Sequence, residues 1–159
     1  FFGKIGGNME RYLYKAKTAK IVSTYNNAED GVWVKGYLRC DTGKWTIYQF
    51  EFDRADYVFY EIDPDTICQC TGLKDKNDNL IYENDILDGF TYPYMLDGVH
   101  NYYAEVCWCT NVPGFGIYTQ KYPESKVSGI SAGMTELMED WCPEEWEIIG
   151  NIFDRNEVN

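Results

Sequence analysis

The chain has 159 residues, enough for one domain that buries roughly 68–70% of its unfolded surface, so stability does not require disulfide staples. Hydrophobic residues make up 45% and charged residues 25%, while an aromatic share of 17% excludes a disordered acidic chain. A formal charge of −12 argues against direct nucleic-acid binding, and no apolar run is long enough to form a transmembrane helix.

Phe1–Asn8 is glycine-rich and has no partner in the pattern that follows. It reads as a cloning remnant ahead of a natural start at Met9, leaving one domain over 9–158. With no secretion signal, the six cysteines (Cys40, Cys68, Cys70, Cys107, Cys109, Cys142) read as free thiols in a reducing bacterial cytoplasm. Charge is uneven along the chain. Residues 1–48 carry eight Lys/Arg against four Asp/Glu, and residues 49–159 carry six against twenty-two.

From there the hydrophobic period is mostly two. Val32, Val34, Leu38 and Cys40 alternate with Trp33, Lys35, Tyr37 and Arg39; Trp45–Phe52 places Tyr48, Phe50 and Phe52 on one face. Asp41-Thr42-Gly43-Lys44 between them is turn chemistry, so the two runs predict a β-hairpin. Both its faces are aromatic: one side packs inward and the other meets a partner, but alternation does not say which. A strand over Tyr57–Ile62 stops at Asp63-Pro64-Asp65, since proline cannot donate to a ladder. Further strands follow at Thr66–Leu73, Leu80–Leu87, Tyr102–Thr110, Gly116–Gln120 and Trp146–Phe153, with a polar turn at Lys74–Asn79 and a long loop over 88–101. Met134, Leu137, Met138 and Trp141 stand at i, i+3, i+4 and i+7, which predicts one short C-terminal helix ended by Pro143. The expected fold is mainly β: a small barrel or strongly bent antiparallel sheet with that helix.

Chemistry is sparse. The single histidine, His100, sits in a loop with no nucleophile motif around it. Gly114-Phe115-Gly116 lacks the strand–helix setting of a phosphate-binding loop. Asp75-Lys-Asn77-Asp-Asn79 begins like a calcium loop, but Leu80 stands where the sharp turn needs glycine and Ile86 where the ion needs a bidentate glutamate. The pairs Cys68/Cys70 and Cys107/Cys109 have one intervening residue, short of the usual zinc spacing, and read as small buried apolar groups; no metal or cofactor is expected. The carboxylates Glu136, Glu139, Asp140, Glu144, Glu145 and Glu147 read as a solvated face; no acid/base pair stands out.

The segment Thr71–Leu87, TGLKDKNDNLIYENDIL, is more specific. It closely resembles the signature of the YopX family of phage and prophage proteins. Glu10–Tyr14 followed by GVWVKGYL at 31–38 is similar to the family's opening, and IIGNI at 148–152 to its close. The family's turn usually carries Asn-Gly where Asn77-Asp78 stands here, and a glycine where Asn84 precedes Asp85; both replacements tolerate a positive φ. The resemblance implies a small, mainly β, phage-encoded accessory protein with no catalytic residues to carry over. Within the signature and its closing partner, Thr71, Gly72, Leu73, Asp75, Ile81, Tyr82, Asp85, Ile86, Gly150 and Asn151 read as folding determinants. Leu73, Ile81, Tyr82 and Ile86 would pack; Gly72, Asn77 and Asp78 would shape turns; Asp75 and Asp85 would accept backbone N–H groups.

The leading functional expectation is a non-enzymatic accessory protein acting through protein–protein contact. Its partner is another copy of the chain or a phage or host protein, with no direct nucleic acid and no membrane. Trp33, Tyr37, Trp45 and Tyr48 are the candidate contact residues, since Trp and Tyr dominate interface hot spots. The alternative is an acidic inhibitor that mimics phosphate through the six carboxylates of 136–147 and occupies the basic cleft of a host nucleic-acid-binding protein. A small hydrolase using a carboxylate pair is a third option.

Overall fold

In the computed structural model, residues 9–19, 31–88, 102–110, 113–121, 135–137 and 145–157 are described, and they are mainly β. The chain divides into two compact units, 1–72 and 73–159, with the boundary inside a strand.

The first unit contains β1 (Leu13–Lys17), β2 (Trp33–Asp41), β3 (Lys44–Glu51), β4 (Asp56–Glu61) and most of β5 (Cys68–Lys74). The sheet runs in the order β4-β3-β2-β1-β5 and continues to β6 (Leu80–Tyr82). The predicted hairpin is present, with Tyr37 opposite Tyr48 and Cys40 opposite Trp45. Its two-residue loop, Thr42-Gly43, has both φ angles positive (50° and 84°), the primed-turn geometry that matches the twist of the flanking strands. The sheet curls until the C-terminal end of its edge strand β4 reaches the end of β1. Thr18 bridges Ile62, Ala19 N–H donates to the Glu61 carbonyl, and Asp63 N–H donates to the Lys17 carbonyl. A short 3-10 turn, Pro64–Thr66, is capped by the Asp63 carboxylate, which accepts from Asp65 N–H. Inside the curl, Ala16, Ile47 and Ile62 form a buried cluster with Tyr14, Val34, Leu38, Trp45 and Ile67 against it. The expectation of a strongly bent antiparallel sheet is met here.

The second unit is a five-stranded antiparallel sheet in the order β10-β9-β8-β7-β11. Its strands are β7 (Asp85–Asp88), β8 (Tyr102–Cys109), β9 (Gly114–Lys121), β10 (Thr135–Leu137) and β11 (Glu147–Asn151). Ile81, Leu87, Ala104, Val106, Ile117 and Trp146 make its core, with Leu73, Phe115 and Ile148 packed against them.

Two elements differ from the sequence reading. The run Leu80–Leu87 is two strands, because Glu83-Asn84 turns the chain, with Asn84 at φ 66°. The helix expected around Met134–Trp141 is not what the described part of that segment shows. Thr135–Leu137 is strand, paired to Tyr118–Gly116 of β9. That edge offers inter-strand hydrogen bonds, and a β-branched Thr suits it, so the apolar spacing is overridden. Met134, Met138 and Trp141 lie outside the described residues, as does the loop 89–101 with His100. At the C-terminal end, Ile152–Glu157 is a 3-10 turn. Among the described residues no helix is long and apolar enough to cross a membrane.

Gly36 is where the hairpin is tightest. A Cβ built there would sit 2.3 Å from the Tyr48 carbonyl oxygen and 3.0 Å from Ile47 Cγ2. Backbone cannot yield as a side-chain tip can, so Gly36→Ala is expected to lower the unfolding free energy by about 1–3 kcal/mol through overpacking. Urea denaturation checks this, and unchanged stability would show that β2 and β3 can separate without cost.

Candidate functional site

Alternation sorts the hairpin's aromatics onto two faces of the curl. Trp45 shares a face with Leu38 and Ile47 and packs against the buried cluster, so it belongs to the interior. Tyr37 and Tyr48 lie on the outer face, opposite one another, with ring centroids 5.7 Å apart. Trp33 is also on the outer side but is engaged locally. The Lys15 ammonium lies 4.9 Å and the Lys17 ammonium 5.6 Å from its ring centroid, within cation–π range. Of the four aromatics singled out in the sequence, the structure brings only Tyr37 and Tyr48 together.

The outer wall extends beyond those four aromatics. Tyr48 faces Phe59 across β3–β4 at 5.6 Å, stacked, and Phe50 faces Tyr57 at 5.2 Å, edge to face. Phe50 also meets Phe52 edge to face at 5.1 Å, and Tyr48 meets Tyr57 at 5.9 Å. Cross-strand aromatic pairs stabilise a sheet by a few tenths to about 1 kcal/mol each, which does not explain leaving their outer surfaces in water. Phe50, Tyr57 and Phe59 are each about half exposed, and Phe52, in the β3–β4 turn, is 88% exposed. A groove of about 430 Å³ opens on this wall, lined by Leu38, Arg39, Tyr48, Tyr57 and Phe59. The signal for the missed residues was the period of Tyr48, Phe50 and Phe52 combined with pairing to Tyr57 and Phe59.

In the second unit, the signature residues form a load of buried hydrogen bonds. Asp75, 4% exposed, accepts from the N–H groups of Asn77 and Asn79 in its own turn and from Ile148 N–H of β11. Asp85, fully buried, accepts from Tyr82 N–H at 2.9 Å and from Asn151 Nδ2 at 3.0 Å. Asn151 in turn accepts from Phe153 N–H, and Ile152 N–H reaches the Asn84 carbonyl. Ile81, Tyr82 and Ile86 are buried, Leu73 packs on the core, and Thr71 is buried at the first unit's end of β5. Gly72, expected in a turn, instead lies within β5 at φ 80°, a region that side chains with Cβ avoid, while Asp78 takes φ 66° in the turn as expected. Gly150 sits beside an irregularity in the β7–β11 register, and a Cβ there would meet nothing within 4 Å, so packing does not explain its glycine.

Cys68 and Cys70 are fully buried in the first unit; Cys107 and Cys109, in the second, are half-buried, and Cys40 is exposed. Cys142 lies outside the described residues. Among the described residues no three His, Cys, Asp or Glu side chains are grouped to hold a metal. Burial above all, then the neighbouring Cys109 thiol, pushes the Cys107 thiol up to about 11. Of the acidic run, Glu145 is exposed and Glu147 is ion-paired with Lys76; Glu139, Asp140 and Glu144 lie outside the described residues, as does the side chain of Glu136.

Burial raises the Asp75 carboxyl, but the N–H groups of Asn79, Ile148 and Asn77 outweigh it and hold the group below its ordinary 3.8. A depressed folded value means that stability from ionised Asp75 is present above the unfolded value and lost as pH falls through the folded one. Asp75→Asn is therefore expected to cost about 1.5–3 kcal/mol at pH 7, with the gap to the original protein closing below pH 3.8 in paired urea titrations. A gap independent of pH would assign the loss to shape, not charge. For the cysteines, brief iodoacetamide pulses read by mass spectrometry are expected to label exposed Cys40 at pH 8, and Cys107 only as pH nears 11. Equal labelling of both at pH 8 would contradict the burial of Cys107.

A family model described as YopX protein matches residues 23–158, which takes in β2–β11, both carboxylate-held turns and the outer aromatic wall. No curated protein matches the chain. The match spans most of the sequence, and the segment that resembles the family signature is the one whose carboxylates tie β5–β7 to β11; the chain belongs to the YopX family.

Proposed function

We propose that this chain is a phage- or prophage-encoded accessory protein that works in the bacterial cytoplasm by protein–protein contact, without catalysis, through the outer wall of β2–β4. The observation that carries the reading is the continuous set of rings on that wall, with Tyr37, Phe50, Phe52, Tyr57 and Phe59 exposed around half-buried Tyr48. Contiguous exposed apolar surface marks an interaction site, and aromatic anchors supply most interface energy. A non-catalytic role is supported by the use of the buried carboxylates. Asp75 and Asp85 are both engaged by N–H donors, an arrangement suited to holding turns.

The acidic-mimic reading has less behind it. Glu147, the one carboxylate of that run with a described partner, is neutralised by Lys76.

The test is capture of partners from phage-carrying bacterial lysate, and of a second, differently tagged copy of the chain, washed at low and high salt. Apolar contact is little screened, so the bound protein is expected to survive high salt. Replacing exposed Tyr57 and Phe59 by Ser is expected to weaken binding at least tenfold per residue without unfolding the chain. A partner that stays on the doubly substituted protein, or that leaves the original protein at high salt, overturns this surface.

A further inference from the structure

The outer wall of β2–β4 carries both a knob, beyond Phe50 at the β3–β4 turn, and a groove that begins at Tyr57 and runs the other way. Phe52 is the knob. It sits in the β3–β4 turn, 88% exposed, braced edge to face on Phe50 at 5.1 Å. The groove is lined by Leu38, Tyr48, Tyr57 and Phe59, with Arg39, its side chain about half exposed, at its rim. At about 430 Å³ and open to solvent, it has room for a phenylalanine side chain.

Charge follows the same layout. Beside the knob, Arg54 is paired with Glu51 at 3.3 Å, while Asp53 is exposed and makes no ion pair among the described residues. Among the described residues, Arg39 on the groove's rim is paired to exposed Asp41 of its own strand, a contact of the kind worth little in water. An incoming knob therefore brings one uncompensated anion to a rim that offers a cation.

On this basis, and resting on the contact surface assigned above, we infer that the occupant of the wall is a second copy of this chain. Two copies meet face to face about a two-fold axis near Phe50 and Tyr57, each seating its Phe52 in the other's groove with its Asp53 beside the other's Arg39. A two-fold contact needs a patch in which each residue's partner is supplied by the same surface on the other copy, and a knob and groove flanking a common centre meet that need. Burial of Phe52 explains why a ring is held in water at a turn that any polar residue could occupy. The Asp53–Arg39 contact fixes the register and excludes the parallel arrangement, in which knob would meet knob and acid would meet acid.

Sedimentation equilibrium across a concentration series tests this on the full chain. The unsubstituted protein is expected to form a dimer. Phe52→Ser, which alters a side chain already in water, is expected to raise the dimer dissociation constant at least tenfold with an unchanged circular-dichroism spectrum. Arg39→Glu and Asp53→Arg are each expected to weaken the dimer tenfold or more, and the two together to recover most of the loss. A protein that is monomeric at every concentration, a Phe52→Ser variant that dimerises as well as the original, or a double exchange no better than the singles overturns the inference. Monomeric protein that still captures a partner through Tyr57 and Phe59 would remove the second copy alone and leave the contact surface standing; loss of both would remove the surface itself.

Discussion

Two carboxylates with almost no access to water organise the second unit. An ionised group in such a place is costly unless its lone pairs are filled, and the chain fills them from far away in sequence. Ile148 N–H reaches Asp75 across 73 positions, and the Asn151 amide reaches Asp85 across 66. Because each carboxylate also accepts from its own turn, the two hairpin turns and the closing strand are defined by the same atoms. The short strands β6 and β7 would be marginal alone. They are positioned by these bonds as much as by the Ile81, Leu87 and Trp146 core beneath them.

The first unit solves a different problem. Its sheet curls until the ends of β1 and β4 touch, and so gains an interior for Ile47, Ile62 and Trp45. Curling leaves a convex exterior that, among the described residues, carries exposed aromatic rings. In such a place polar residues are the low-risk choice, yet the exterior of β2–β4 is aromatic from Tyr37 to Phe59. That conflict between local rule and local sequence is what a surface kept for association would show.

Period-two patterning was enough to read the curled sheet, because strands alternate faces whatever they pack against. The hairpin turn was equally plain, since Asp41-Thr42-Gly43-Lys44 leaves the chain few alternatives. Three things were hidden. Alternation groups residues on a face but cannot say which face is covered, so Trp45 was joined to Tyr37 and Tyr48 although the sheet separates them. The short turn at Glu83-Asn84 lies between two apolar runs that merge into one when read linearly; only Asn84, a residue that accepts positive φ, marked it. The helical spacing around Leu137 is genuine, but the free edge of β9 offered its backbone a competing set of hydrogen bonds. The donors to Asp75 and Asp85 were half legible: a short acid beside a turn predicts the local N–H groups, and nothing local predicts Ile148 or Asn151.

The pairing of β7 with β11 also bears on how the protein is made. Every contact between them joins residues about sixty apart in sequence, so this sheet has a high contact order on that side and is expected to assemble slowly. During synthesis, β5–β7 emerge from the ribosome several seconds before Ile148 and Asn151 exist, at rates of roughly 5–20 residues per second. Through that interval Asp75 and Asp85 must remain hydrated, and Ile81 and Leu87 lack the strand and the Trp146 indole that later cover them. Until β11 arrives, the nascent second unit is therefore an unfinished hairpin pair with apolar surface exposed, the kind of species most prone to aggregate.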